Sequence, residues 1–281
     1  MKKGILLLTS LLLVTTTAAQ EAAKDTVPDK AERPAFESSY IIDNPTDLLY
    51  QKNSLEFMIN HRMDMVNDGN LIGLFGSANI RLGLTYTLHE RLQVGFGTEK
   101  VNKYQDFNWR VALFRQTRSG SMPVNISYYG NFVIDARGRE NFILDQHRYS
   151  YFNQLVISRR FSRLLSLQIA PSISHYNVVP EGMRNDVVGV AIGGRYKVSS
   201  QTSVLLDYSQ PLANNWDSSF DPEPGFSLGV EFATSGHAFQ VFISNLKGII
   251  PQDNYMFNED PFKPFDGEFL IGFNITRKYN F

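Results

Sequence analysis

The chain has 281 residues, a net charge of −1, 43% hydrophobic residues and no cysteine. This composition is too polar for a bundle of membrane helices, and the near-zero charge argues against a nucleic-acid partner. Without cysteine the protein forms no disulfide bonds, no thiolate-based catalytic site and no cysteine-bound metal centre.

The amino terminus has the layout of a secretory signal. Lys2 and Lys3 precede a short apolar run at positions 5–14, and the small residues Thr17 and Ala19 follow at the spacing that signal peptidase recognises. The apolar run is too short to span a bilayer as an anchoring helix. We therefore expect residues 1–19 to be a signal peptide that is cleaved before Gln20.

Residues 20–53 form the next segment. They are charged and interrupted by Pro28, Pro34 and Pro45. Such a composition favours a mobile or loosely docked segment over a packed element. We expect this segment to lie in the periplasm, where it could bind a periplasmic partner.

From residue 54 to residue 281, apolar residues recur at every second position, which is the period of a β-strand. No long window places them at the three- and four-residue steps of a helix, so the region is predicted to be all-β. The pattern divides into about twelve blocks. They cover positions 55–59, 80–88, 92–96, 107–113, 124–134, 149–157, 165–173, 188–198, 204–208, 226–232, 239–243 and 269–281.

The connections between the blocks alternate between short and long. Short ones at 89–91, 162–163, 199–201 and 235–236 are interleaved with long ones at 64–76, 136–147, 178–185, 211–224 and 246–266. This alternation is typical of strands that cross a membrane up and down, whereas a Greek-key sandwich mixes its connection lengths. The longer blocks, of roughly nine to thirteen residues, also suffice to cross a bilayer at the usual tilt.

Together these patterns predict a transmembrane antiparallel up-and-down β-barrel of about 12 strands over residues 54–281. Its short turns are expected on the periplasmic side. The predicted location is the outer membrane of a Gram-negative-type bacterium, with outer-membrane lipid around the barrel.

The last strand ends in the sequence GFNITRKYNF. Phe273, Ile275, Tyr279 and Phe281 share one face, which only Arg277 interrupts. This ending resembles the signal by which bacterial outer-membrane barrels are recognised by their assembly machinery. We therefore expect Tyr279 and Phe281 to act as an assembly signal, the alternative being an ordinary edge strand that happens to finish on Phe.

Several stretches resemble an uncharacterised family of bacterial outer-membrane β-barrel proteins, domain-of-unknown-function family 5777. They include AFESSYIIDNPT, LEFMINHRM, RQTRSGSMPVN, HYNVVPEGMRNDVV, EFATSGHAFQVFISNLKG and GFNITR. These stretches are spread from about Phe36 to Phe281, so the resemblance covers nearly all of the mature chain. The resemblance implies a fold and a location, but no established activity.

The polar residues that alternate with the apolar ones are predicted to face the lumen. The candidates of both charge signs are Glu56, Arg81, Arg110, Arg195, Asp207, Glu231 and Glu268. Because buried charges are costly unless they are paired or hydrated, these residues either line water or form a cross-linked polar core. Glycines share their parity, including Gly97, Gly189 and Gly193, and would leave room for large neighbours.

Two functions are compatible with this interior. The first is a narrow passive channel for small polar solutes. The alternative is a structural or accessory barrel with a polar, plugged lumen that serves a periplasmic or surface partner.

A lipid-acting barrel enzyme is a third possibility. Such phospholipases and deacylases use a His and a Ser two residues apart on one face of a strand. The residues two places after the five histidines are Met63, Arg91, Tyr149, Asn177 and Phe239. Since none of these is Ser, and the histidines show no metal-ligand spacing, we expect no catalytic residues, no metal and no cofactor.

Overall fold

The computed structural model describes residues 29–66 and 70–281, so the predicted signal peptide lies outside the described residues. Two short strands form an antiparallel hairpin, β1 (Tyr40–Ile41) with β2 (Asn44–Pro45). Longer strands follow: β3 (Ser54–Met65), β4 (Asn79–His89), β5 (Leu92–Glu99), β6 (Tyr104–Phe114), β7 (Asn125–Asp135), β8 (Tyr149–Arg160), β9 (Leu165–Tyr176), β10 (Asp186–Lys197), β11 (Thr202–Leu212), β12 (Gly225–Ala233), β13 (His237–Ser244) and β14 (Leu270–Asn280). A helix, α1 (Pro251–Phe257), lies between β13 and β14, and short 3-10 turns lie at Arg139–Asn141, Asp145–Arg148, Ser218–Phe220 and Pro264–Asp266.

Strands β3 to β14 form a closed barrel. Each strand pairs antiparallel with the next along the chain, and β14 pairs with β3 to complete the ring. Closure satisfies the backbone hydrogen bonds of every barrel strand within the sheet, as a lipid environment requires. The predicted up-and-down barrel of about twelve strands is therefore confirmed.

The barrel wall has two different faces. On β9, for example, Ser166, Gln168 and Ser172 are buried, whereas Leu167 and Ile169 between them are exposed. The same alternation leaves large apolar side chains on the outer surface of the other barrel strands. An apolar belt of this extent is unfavourable in water and is the surface that contacts lipid in membrane barrels.

The two ends of the barrel differ in the length of their connections. Connections 90–91, 161–164, 198–201 and 234–236 lie at the end where β3 begins and β14 finishes, which we name the turn side. The other end, the loop side, carries the long connections 66–78, 136–148, 177–185, 213–224 and 245–269.

Two connections depart from this rule. Connection 100–103 is short although it lies on the loop side, and connection 115–124 is long although it lies on the turn side. The long one pairs with the N-terminal segment, since Ala31 bridges Thr117 and the Arg118 amide donates to the Lys30 carbonyl at 3.0 Å. Across residues 29–66 and 70–281, none of the helices has the length and apolar character needed to cross a bilayer.

Candidate functional site: the barrel interior

The N-terminal segment lies inside the barrel. Most of residues 35–48, which we name the N-terminal plug, are buried. The Tyr40 hydroxyl lies 2.9 Å from that of Tyr129 on β7, and Gln240 on β13 donates to the Tyr40 carbonyl at 2.9 Å. Gln168 on β9 donates to the Pro45 carbonyl at 3.0 Å. Because these partners stand on strands around the ring, the plug lies inside the lumen. It leads into β3, which begins at the turn side, so it occupies the turn-side part of the lumen.

The expectation of a mobile or loosely docked segment is wrong for residues 35–48. Most of the charges and two of the three prolines that suggested it precede residue 35, whereas residues 35–48 contain Ile41 and Ile42, which are 1% and 0% exposed. These side chains belong to an apolar cluster with Leu205 and Phe242 of the wall. The polar wall supplies the hydrogen bonds that this irregular backbone needs when it leaves water.

Arg110 on β6 binds the plug through its backbone. Its guanidinium donates to the Ser39 carbonyl at 3.0 Å and to the Leu48 carbonyl at 3.2 Å, with a third bond to the Gln93 side chain at 3.0 Å. Glu56 on β3 is nearby and accepts a hydrogen bond from the Ser39 hydroxyl at 2.7 Å. Two of the predicted lumen residues therefore hold the plug instead of lining an open path.

The tip of the β1–β2 hairpin is fixed across the lumen by two carboxylates. Asp43 of the plug accepts from Arg62 on β3 at 2.8 Å and from the Ser227 hydroxyl on β12 at 2.6 Å. Asp207 on β11 accepts from the backbone amides of Asp43 and Asn44, at 3.0 and 2.9 Å. Hydrogen bonds to charged groups in a buried site are stronger than neutral ones, so these contacts define one position for the tip.

Two arginines of the wall pair with acids of the wall. Arg81 on β4 makes two hydrogen bonds of 2.8 Å to the carboxylate of Asp106 on β6. A Cβ atom at Gly97 would overlap both groups, so the glycine provides their space. Arg195 on β10 donates to Glu231 on β12 at 3.1 Å. These four interior charges are thus paired across the wall.

The predicted lumen residues divide into two groups. Glu56, Arg81, Arg110, Arg195, Asp207 and Glu231 are each no more than 6% exposed and have partners inside the barrel. Glu268 is different, and its prediction as a lumen residue is wrong. It precedes β14, which begins only at Leu270, and its 42% exposed side chain pairs with Lys263 at 2.9 Å.

The loop side is filled by a second insert. Residues 245–258, which we name the loop insert, include α1 and turn into the barrel. Gln252 donates to the Ser150 hydroxyl on β8 at 3.1 Å and accepts from Asn131 on β7 at 3.1 Å. The Tyr255 ring stacks on Phe152 with 5.7 Å between ring centroids. A Cβ atom at Gly189 would overlap Tyr255, so this glycine makes room for the insert.

The alternation of apolar residues did not reveal the loop insert. A seven-residue helix is too short to show a helical period. The available signal was the run Ile249, Ile250, Pro251 followed by Tyr255 and Met256 in a connection expected to face water. Pro251 stands at the start of α1, where its missing amide hydrogen costs nothing.

The two inserts meet near the middle of the barrel. The Tyr255 hydroxyl of the loop insert donates to the Asn44 side chain of the plug at 3.3 Å. Tyr40 and Ile42 of the plug and Ile250 of the insert border a cavity of ≈ 10 Å³ between them, which has room for about one water molecule.

His175 lies on the outer surface of the barrel wall. His175 on β9 contacts Asp186 at 2.9 Å and Asn177 at 3.0 Å through its two ring nitrogens. Its neighbour Ser174 is fully buried, so the two side chains point to opposite sides of the wall. Within the described ranges, no group of three or more His, Asp or Glu side chains is arranged to hold a metal ion.

The geometry defines a membrane β-barrel whose lumen is occupied by two of its own segments. The chain belongs to the family described as membrane bound beta barrel domain (DUF5777), which matches residues 36–279. This confirms the resemblance seen in the sequence.

One solved structure shares the fold at low sequence identity. A NanC porin structure aligns with a TM-score of 0.52 and 8% identity over 81% of this chain and 100% of that one. The KdgM porin gives a TM-score of 0.49 with 8% identity over 81% of this chain and 99% of that one. An outer membrane channel from Pseudomonas putida F1 gives 0.47 with 10% identity over 83% and 97%. No curated protein matches the sequence significantly.

Proposed function

We propose that this protein is a closed barrel of the outer membrane, with a structural or accessory role and a plugged polar lumen. The observation that carries the proposal is that the N-terminal plug and the loop insert fill the two halves of the lumen and touch each other through Tyr255 and Asn44. A narrow channel that is always open would need a continuous hydrated path, and the space between the inserts holds about one water.

A gated channel is the second candidate, and the polarity of the plug interface favours it. The plug is held largely by hydrogen bonds from wall side chains such as Arg110, Gln168 and Asn274 to its backbone carbonyls. Water can replace these bonds when the plug leaves, so release costs less than exposing an apolar interface. The plug also precedes β3 in the chain and could leave without breaking a barrel strand pair.

The proposed location follows from the barrel together with the predicted signal peptide and the terminal residues Tyr279 and Phe281. With the turn side in the periplasm, residues 20–53 would meet a periplasmic partner. Because most of residues 35–48 are buried, such a partner would bind the chain on either side of them. We propose no catalytic role, since His175 is paired on the outer surface, away from Ser174.

Conductance in planar lipid bilayers tests the closed state. The mature protein should give no conductance steps. Leu at Gly193 would overlap Ile41 of the plug, and Leu at Gly189 would overlap Tyr255 of the loop insert. Because each insert blocks its own half of the lumen, we expect the single variants Gly189→Leu and Gly193→Leu to stay closed. The double variant should conduct.

The matched control is Gly194→Leu, because the atom nearest to a Cβ at Gly194 is the Cδ2 of Leu167 at 3.3 Å, on the outer face. This variant should behave as the parent. Regular conductance steps from the unmodified protein would refute the closed barrel. A double variant that folds but does not conduct would refute the gated channel while leaving the closed barrel in place.

A further inference from the structure

A cluster of arginines stands at the turn-side rim, outside the lumen. Arg33, Arg118, Arg160 and Arg163 line one open cleft of ≈ 530 Å³, together with Glu32, Phe161 and Ser162. The four arginines come from three separate parts of the chain: the lead into the plug, connection 115–124, and the end of β8 with its following turn. The hydrogen bond from the Arg118 amide to the Lys30 carbonyl, at 3.0 Å, holds the first two parts together.

The four cations of the cluster outnumber the two acidic residues nearby, Glu32 and Asp29, and the Asp29 carboxylate accepts from the hydroxyls of Ser119 and Ser121 in connection 115–124. Connections 115–124 and 161–164 contain no acidic residue. The carboxylate of Glu32 accepts from the backbone amide of Arg33 at 2.8 Å. Among the described residues, none of the four guanidinium groups has a carboxylate within ion-pair distance. Grouped cations without acidic partners attract an anion.

The position of the cleft indicates where that anion comes from. Phe161 is 55% exposed and Leu164 48%, in the same turn as Arg163. Phe114, at the end of β6, is 55% exposed and continues the apolar belt. The cations therefore stand at the boundary of the lipid-facing surface, which is where the phosphate groups of a bilayer lie. A site for a soluble anion would have no need of these exposed apolar neighbours.

One connection of the opposite rim has the reverse character. The loop-side connection 213–224 carries Asp217, Asp221 and Glu223 and no basic residue. An anionic headgroup would be repelled by this connection.

We propose that Arg33, Arg118, Arg160 and Arg163 form a binding site for the phosphate headgroup of an anionic membrane phospholipid at the turn-side rim. Guanidinium groups suit this ligand because they donate two parallel hydrogen bonds to phosphate oxygens.

Native mass spectrometry of the full mature protein in neutral detergent, titrated with phosphatidylglycerol, tests the proposal. Diacylglycerol, which lacks the phosphate, serves as the lipid control. We expect saturable binding of phosphatidylglycerol. Arg118→Gln and Arg163→Gln should each weaken it about fivefold, and the double variant about thirtyfold, because each cation near an anionic lipid contributes independently. The control variant Lys100→Gln/Arg139→Gln removes two exposed loop-side cations and should bind as the parent does.

Circular dichroism and the gel mobility of unheated samples show whether each variant is folded. The single variants remain informative if the double variant does not fold. Unchanged affinity in the folded variants would overturn the proposal. Equal binding of diacylglycerol would overturn it as well, since apolar contact alone would then suffice. Displacement of the lipid by millimolar inorganic phosphate would show a free-phosphate site and overturn the lipid assignment.

Discussion

The buried pair of Arg81 and Asp106 offers an energetic test of the filled lumen. Its two hydrogen bonds are both 2.8 Å long, and the side chains are 7% and 2% exposed. Removing one partner of such a pair leaves an uncompensated buried charge, which costs about 3–5 kcal/mol. In a hydrated channel the same pair would behave as a surface ion pair and contribute about 0–1 kcal/mol. The loss of stability on removing Arg81 therefore differs by several kcal/mol between a filled lumen and a hydrated channel.

Equilibrium urea unfolding of the barrel in lipid vesicles provides that measurement. We expect Arg81→Met to lower the free energy of unfolding by about 3–5 kcal/mol. The double variant Arg81→Met/Asp106→Leu should recover most of the loss, because apolar side chains can replace a buried ion pair at little cost. Arg81→Glu should be worse than Arg81→Met, since it places a second carboxylate beside Asp106.

The control is the exposed pair of Arg139 and Asp145, which are 3.5 Å apart with side chains 83% and 64% exposed. Arg139→Met should change the free energy of unfolding by less than about 1 kcal/mol. The reasoning is refuted if Arg81→Met costs as little as this control. A shift of ion selectivity toward cations in Arg81→Glu, without loss of stability, would support a hydrated channel instead.

Two further predictions concern the loop insert and the terminal strand. Burial raises the pKa of Asp253 in α1 to about 7, so ionisation of this residue destabilises the folded state progressively as pH rises from the unfolded value of 3.8 through 7. In urea unfolding at several pH values, Asp253→Asn should match the parent near pH 4 and become more stable than the parent above pH 7, and a constant difference between the two proteins across this range would contradict the prediction. Phe281 is 80% exposed, so we expect its deletion to reduce outer-membrane assembly, measured by cell fractionation, without lowering the stability of the folded barrel. The control Phe265→Ala removes another exposed ring and should assemble normally, and equal assembly of all three proteins would show that the terminal Phe is not a signal.

The barrel wall was predictable because it obeys one local rule. Each strand meets lipid on one face and a polar interior on the other, so alternation in the sequence reports the fold directly. β9, with Leu167 and Ile169 outside and Gln168 inside, shows the rule in its simplest form. The rule does not apply beyond the strand end, so it wrongly predicts that Glu268, which belongs to the preceding loop, faces the lumen.

The inserts were not predictable from the same pattern. A segment that fills a lumen has no repeating face, because its neighbours differ from residue to residue. Residues 35–48 therefore looked irregular and loosely attached, although Arg110 binds two of their carbonyls. The interior glycines mark where the inserts pack against the wall. The space at Gly193 accommodates Ile41, and the space at Gly189 accommodates Tyr255.

The charge pairs inside the barrel depend on strand order and register. Arg81 and Asp106 are 25 positions apart and become partners because β5 between them places β4 and β6 on either side of it. Asp43 and Arg62 pair only because the plug enters the barrel. The sequence predicts charged side chains of both signs on the inner face. Whether these side chains line water or pair with each other depends on the contacts that strand order and register create.

Cysteine accessibility of the plug tests the central claim most directly, since the chain has no native cysteine. Ile41 is 1% exposed inside the barrel, whereas Lys52, in the residues leading to β3, is exposed. With a water-soluble maleimide, Lys52→Cys should react at once in the folded protein, and Ile41→Cys should react only after unfolding. Equal labelling rates at the two positions in the folded, membrane-embedded protein would contradict a lumen filled by its own N-terminal segment.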